Sequence, residues 1–131
     1  MLTNKSLFRI YFFLFTMLLS FFIASGEETG EQDDVDKAYK IAYKYILDEQ
    51  WDNALKAFKK LIQDYPQSKW VDDSHFWQCF AREKKGEDLE SVFKCYESFI
   101  TKYRSSKWVD DARTNMIRIG QQLAKSGKPE Y

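Results

Sequence analysis

Tyr65-Pro66-Gln67-Ser68-Lys69-Trp70-Val71-Asp72-Asp73 returns 38 residues later as Tyr103-Arg104-Ser105-Ser106-Lys107-Trp108-Val109-Asp110-Asp111. Seven of the nine positions are identical. An active site needs its groups once, so a long match at one fixed offset points to a structural unit used more than once. The wording of the match says what the unit is. Pro66 cannot continue a helix and marks the end of one. Ser68 stands where an N-cap stands, its hydroxyl free to accept from the backbone two or three residues on. Asp72 and Asp73 fall in the first turn that follows, where the helix dipole favours negative charge. Ser106, Asp110 and Asp111 repeat the device. Each copy therefore reads as helix end, tight turn and helix start, and the chain as an array of helices.

Periodicity extends this outward. A first helix is expected over 35–47, where Ala38, Ile41, Ala42 and Tyr45 recur at helical spacing with Lys40 and Lys44 opposite. Asp48-Glu49-Gln50 breaks the pattern. A second helix starts at Trp51, with Ala54, Leu55, Phe58, Leu61 and Ile62 on one face and Lys56, Lys59 and Lys60 on the other. Such a short gap makes an antiparallel hairpin. The third helix is expected over 69–85, the turn at Gly86-Glu87-Asp88, the fourth helix over 89–102 and the fifth over 107–125. Ser126-Gly127-Lys128-Pro129 then stops it. No strand signal competes, because apolar alternation never runs long enough. Aromatic rings supply the packing area that thin helical layers need.

The chain has 131 residues, with 20 basic and 20 acidic side chains. Lys5 and Arg9 precede an apolar run from Ile10 to Ala24, followed by Ser25 and Gly26. A positive start, an apolar middle and small residues at the end describe a secretory signal peptide over 1–26. The run is shorter than the ~20 residues a spanning helix wants. Glu27, not a cysteine, follows, so no lipidation site is read. Without this segment, 18 basic residues face 20 acidic ones, a net charge of −2. So balanced a chain argues against a nucleic-acid partner held by bulk charge. Residues 27–34 read as a flexible acidic linker, and 126–131 as a C-terminal tail.

The two cysteines, Cys79 and Cys95, form no Cys-x-x-Cys pair, and one histidine accompanies them, so a zinc site is not expected. They lie on opposite arms of a helical hairpin at similar distances from the turn near Gly86. Two small buried apolar side chains and, in an oxidising compartment, a disulfide are both open readings, because register alone does not establish the Cα separation a bond requires.

The pattern resembles tetratricopeptide repeats. The first unit carries the resemblance on Ala38, Ile41, Ala42 and Tyr45, then Ala54, Phe58, Leu61 and Pro66. Ala42 and Ala54 allow two helices to nest while Phe58 fills the gap. The second unit is looser, with Phe76, Cys79 and Phe80, then Val92, Tyr96, Phe99 and Arg104, and its loop reads as one residue longer. The Tyr-Pro-x-Ser-x-Trp-Val-Asp-Asp junction is similar to bacterial envelope members of the family, including the BamD-like outer-membrane assembly lipoproteins and the Tol–Pal-associated coordinator of cell division. The lipidated cysteine of the former and the coiled-coil region of the latter have no counterpart here. The resemblance implies an all-α, right-handed solenoid over 35–125, two repeats plus a capping helix.

No constellation for catalysis is legible. Adjacent helical residues point about 100° apart, so Asp72-Asp73 and Asp110-Asp111 do not converge on one substrate atom, and a helix-start role is expected for them. His75 stands alone, without a nucleophile assigned to it. No Gly-rich phosphate loop, cofactor motif or metal-ligand set occurs. Lys56, Lys59 and Lys60 have the spacing of a solvated helix face. What the resemblance implies instead is a concave groove lined by the first helix of each unit. That places Tyr39 and Tyr43, Trp77 and Ala81, and Asn115 and Ile119 against a partner, while a place in the core stays an open reading for Trp77 above all and for the two tyrosines. The function expected is a non-catalytic scaffold in the periplasm or envelope, binding a protein or peptide. The alternative is an accessory segment tethered by an uncleaved N-terminal helix, or the front part of a larger repeat protein. Membrane contact is expected only in the tethered case.

Overall fold

In the computed structural model the described residues are 30–131. The signal-peptide reading of 1–26 and the first residues of the expected linker lie outside them. The described residues form an all-α helical repeat array with no strand among them. Helix α1 covers residues 30–47. Helices α2, Trp51–Asp64, α3, Val71–Lys85, α4, Leu89–Lys102, and α5, Val109–Lys125, follow. Val35–Tyr131 is one compact unit. Residues 30–34, expected as linker, are helical. An acidic, polar stretch with no proline can extend a helix through solvent, and composition alone does not separate this from coil.

The core is a strip of small and large residues in alternation. Ala42, Ala54, Ala81 and Ala112 are fully buried and let helices approach, while Phe58, Tyr96, Phe76 and Phe99 fill the space between them. Burying one such ring contributes roughly 2–3 kcal/mol. The turns 48–50 and 86–88 have the same length. The second unit's loop is thus not longer, as its sequence suggested. The additional residue lies within the helix, between Asp73 and the turn.

The repeated junction does more than end and start helices. Ser68 Oγ accepts from the Trp70 N–H at 3.1 Å, and Ser106 Oγ from the Trp108 N–H at 3.3 Å. The hydroxyls thus serve the backbone two residues on, but neither serine is the N-cap expected of it: Trp70 and Trp108 hold those positions, with no side-chain cap hydrogen bond, because a further turn intervenes. The helices themselves start at Val71 and Val109, after a further turn.

Each junction tryptophan then reaches back to the preceding unit. Trp70 stacks on Tyr39, with centroids 4.0 Å apart and planes 10° apart, and donates to Asp36 Oδ1 at 2.5 Å. Trp108 stacks on Phe76, at 4.6 Å and 8°, and donates to Asp73 Oδ1 at 2.8 Å. In both cases the stacked ring lies three residues after the carboxylate. The lysine before each tryptophan joins the same carboxylate, Lys69 to Asp36 at 3.3 Å and Lys107 to Asp73 at 2.9 Å. This is a latch made twice.

Asp73 is therefore misread as a helix-start charge alone. It sits in the first turn of α3, but it is only 4% exposed and also accepts from the Tyr39 hydroxyl at 3.3 Å. Asp111, its counterpart in the second copy, is exposed. Thr114 stands three residues beyond Asp111, where α1 and α3 carry Tyr39 and Phe76.

The sulfurs of Cys79 and Cys95 are joined across α3 and α4, with the Cα atoms 5.6 Å apart. The tail folds back onto the body. The Tyr131 ring packs edge-on against Phe93 at 4.9 Å, and Lys128 pairs with Glu90. Gly120 makes room for it, since a Cβ there would stand 3.3 Å from the Phe93 ring and 3.5 Å from the Tyr131 carbonyl.

Removing the Asp73 side chain leaves a part-buried indole N–H and a part-buried phenol without an acceptor, so Asp73→Ala should cost about 1–2 kcal/mol. Asp111→Ala loses only a dipole interaction, about 0.5 kcal/mol. Thermal melts of the pair decide it, and equal losses would return both aspartates to a helix-start role. The bond between cysteines 16 residues apart should stabilise by about 3 kcal/mol. A melt indifferent to reductant would remove that contribution.

Candidate functional site

The six residues expected to line a groove do not form one surface. Ala81 and Ile119 are fully buried, so no partner can touch them without opening the core. Their helices carry small and aliphatic residues there because neighbouring helices nest on those positions. Asn115 is partly buried and donates to the Tyr96 hydroxyl at 3.2 Å. Tyr96 in turn donates to Glu83 at 3.0 Å, and Arg118 meets the same carboxylate at 2.5 Å. Burial, and next the Glu83 charge, push the Tyr96 phenol above its ordinary range, so it stays a donor. This network ties α3, α4 and α5 together.

Tyr39 belongs to the latch. It stacks on Trp70, donates to Asp73 and accepts from Trp77 Nε1 at 3.2 Å. Burial first, then the Asp73 charge, raise its phenol pKa. Its replacement by alanine would therefore disturb packing as well as any surface. His75 packs against Tyr103 at 5.2 Å, and burial, then Lys102, hold its imidazole below the usual range. It faces no nucleophile in these contacts.

Trp77 is a core residue, only 9% exposed, and the edge of its ring meets the half-buried Tyr43. Together with Ile46, Leu47, Glu49, Trp51, Phe80 and Lys84 they line an open cleft of about 540 Å³. It lies between the α1–α2 turn and the C-terminal half of α3. Its wall is a run of edge-to-face rings: Tyr43 to Trp77 at 5.1 Å, Trp77 to Phe80 at 5.4 Å, and Phe80 to Trp51 at 6.2 Å. Leu47 stands on the rim with 65% of its surface exposed. The cleft is wide open to solvent, and its lining combines aromatic rings with the polar groups of Glu49 and Lys84.

Two charged residues, Glu49 and Lys84, are among those that line the cleft. Lys84 lays its ammonium over the Phe80 ring, 5.2 Å from the centroid. Glu49 sits in the turn with φ 54°. The chain leaves α1, α3 and α5 through the same left-handed closure. Gly86 at φ 83° and Gly127 at φ 95° supply it after α3 and α5. At the end of α1 a glutamate takes that conformation, held by Gln50 N–H to the Tyr45 carbonyl at 2.8 Å and Glu49 N–H to the Ile46 carbonyl at 3.1 Å. A side chain there costs about 1 kcal/mol that glycine avoids. Local strain of this kind often accompanies binding sites.

Nearby charges are paired, Lys85 with Asp52 and Lys44 with Asp48 at 2.5 Å each. Among the described residues no ion pair or hydrogen bond engages the carboxylate of Glu49 or the ammonium of Lys84, and none engages the hydroxyl of Tyr43 or the indole N–H of Trp51. The cleft thus presents aromatic faces, an exposed leucine and unused polar groups. No group of three His, Cys, Asp or Glu among the described residues could hold a metal ion.

Sequence reasoning missed Ile46, Leu47, Glu49, Trp51, Phe80 and Lys84. Two signals were available. Leu47 is a large apolar residue immediately before a helix break, off the apolar stripe. Glu49 occupies the exit position where the matching turn has Gly86.

A tetratricopeptide repeat family model matches residues 36–68, which contain the first latch carboxylate, the α1–α2 hairpin and the start of the junction. No curated protein matches the chain. Repeats of this kind bind protein partners.

Replacing Glu49 with glycine should relieve the left-handed strain and raise stability by about 0.5–1 kcal/mol. A lower melting temperature for Glu49→Gly would mean that the carboxylate supports the fold and is not held there for the cleft.

Proposed function

We propose that this chain is a non-catalytic protein-interaction module exported to the cell envelope, and that it captures its partner through the cleft beside the α1–α2 turn. The observation that carries the reading is the open cleft walled by the rings from Tyr43 to Trp51, with Leu47 exposed beside them. Exposed apolar side chains grouped around a concavity mark interaction sites more often than scattered ones do. Aromatic residues also supply much contact area for little lost conformational freedom, which makes them common anchors. The repeat match over 36–68 supports a binding scaffold.

Two features support export. The first 26 residues have the charge and apolar pattern of a signal peptide. The Cys79–Cys95 bond suits an oxidising compartment, where disulfides persist. The cell envelope as the setting rests further on the likeness of the Ser-Lys-Trp-Val-Asp-Asp junction to envelope members of the repeat family.

Affinity capture from envelope extracts tests the reading when run in parallel with Leu47→Asp. Leu47 is exposed, so this variant should melt within about 0.5 kcal/mol of the parent. The expected outcome is a partner retained by the parent chain and lost, at least tenfold in yield, by Leu47→Asp. Equal recovery by both proteins would move the binding surface elsewhere. Fractionation of cells completes the test, with mature protein beginning near Glu27 and outside the cytoplasm as the expected result.

A further inference from the structure

We infer that the cleft recognises a peptide segment of another protein that presents one neutral apolar side chain between a basic and an acidic residue. The inference rests on the partner-binding reading and adds the chemistry of what is bound. Three observations carry it. The first is the neutral anchor site. Tyr43, Trp77, Phe80 and Trp51 form an unbroken aromatic wall, with Ile46 and Leu47 completing the lining. An aromatic enclosure can also take a cation through the ring faces. Here Lys84 already lies over Phe80, so that ring face is taken and a cation set among the rings would meet its charge. The anchor is therefore uncharged, an aromatic or leucine-sized side chain.

The second observation is the pair of unmatched charges. The lysines and aspartates around the cleft neutralise one another, Lys44 with Asp48 and Lys85 with Asp52. Glu49 and Lys84, which line the cleft itself, form no ion pair among the described residues, with each other or with a neighbour. Each leaves its charge for a group brought by the occupant. A basic residue suits Glu49 and an acidic residue suits Lys84. A partner with two like charges would satisfy one lip and be repelled by the other.

The third observation is the backbone at Glu49. Its φ of 54° is the conformation that Gly86 and Gly127 supply elsewhere in this chain. The carboxylate is thus kept on the rim at a conformational cost, and no contact within the body explains it.

The test uses the full chain and four synthetic heptapeptides with blocked ends. They are Gly-Lys-Gly-Trp-Gly-Glu-Gly, the forms with Lys at both charged positions or Glu at both, and the mixed-charge form with Ala for Trp. Binding is followed by the shifts of the indole N–H resonances of Trp51 and Trp77 in isotope-labelled protein. The mixed-charge peptide should bind about fivefold more tightly than either like-charge peptide, as expected of two partly exposed ion pairs. The Ala form should not bind measurably. Glu49→Lys should shift the preference to the doubly acidic peptide and Lys84→Glu to the doubly basic one. The double variant carrying both changes should again prefer the mixed-charge peptide.

Equal affinity for all three Trp peptides overturns the charge rule. Binding that leaves the Trp51 and Trp77 resonances unmoved overturns the site, and absence of binding at millimolar concentration overturns the proposal as a whole. Any of these with capture still sensitive to Leu47→Asp leaves the scaffold reading standing. Capture indifferent to Leu47→Asp removes that reading independently of the peptide result.

Discussion

One interaction sets the geometry of the repeats: an indole that lies flat on a ring of the preceding unit while its N–H points at a carboxylate. Stacking alone would allow the tryptophan to slide over the ring, and the hydrogen bond alone would allow it to pivot. Together they hold each new helix in position and angle on the one before. The second copy shows the cost of this arrangement most clearly, because Asp73 is nearly withdrawn from water and must be supplied with donors. Tyr39 supplies one from α1, and Trp108 and Lys107 supply the others from the junction between α4 and α5. A buried carboxylate so surrounded specifies which side chains belong beside it, and specificity of packing is what such groups contribute more reliably than stability.

The cleft follows from that arrangement. With Trp70 on Tyr39 and Trp77 bonded to Tyr39, the next ring along α1, Tyr43, is brought against the edge of Trp77. The Cys79–Cys95 bond ties α3 to α4 between Trp77 and Phe80, the two aromatic residues that α3 contributes to the cleft. The latch and the disulfide therefore fix the same stretch of α3 from two sides. A wall held this way is preorganised, which lowers the ordering cost when a partner binds.

Much of the fold was legible because helices leave local marks. The apolar spacing of α2 and α4 and the breaks at Gly86 and Gly127 are properties of neighbouring residues, and α2 to α5 begin and end within two positions of where those marks stand, whereas α1 starts five residues before its first apolar mark. The candidate site was far less legible. Ala81 and Ile119 were placed in a groove by counting from the family's pattern, and a rotation of one residue, about 100° on a helix, turns a surface position into core. The additional residue within α3 produces such a rotation between the two units. Asp73 was read from its place near a helix start, which is correct but incomplete, since the donors that bury it come from 34 or 35 residues away.

The sequence by itself determined that this chain is a repeated helix hairpin joined through Ser-Lys-Trp-Val-Asp-Asp, because periodicity, capping residues and an internal copy are all written along the chain. Only the tertiary structure decided which of those residues are packed away and which face outward. It joined Cys79 to Cys95, sank Asp73 beneath Trp108, and left Leu47, Glu49 and Lys84 around an open cleft. The reason is that local structure depends on residues a few places apart, whereas burial and pairing depend on which helix faces meet. That is settled by the register between units, and a single residue is enough to change it.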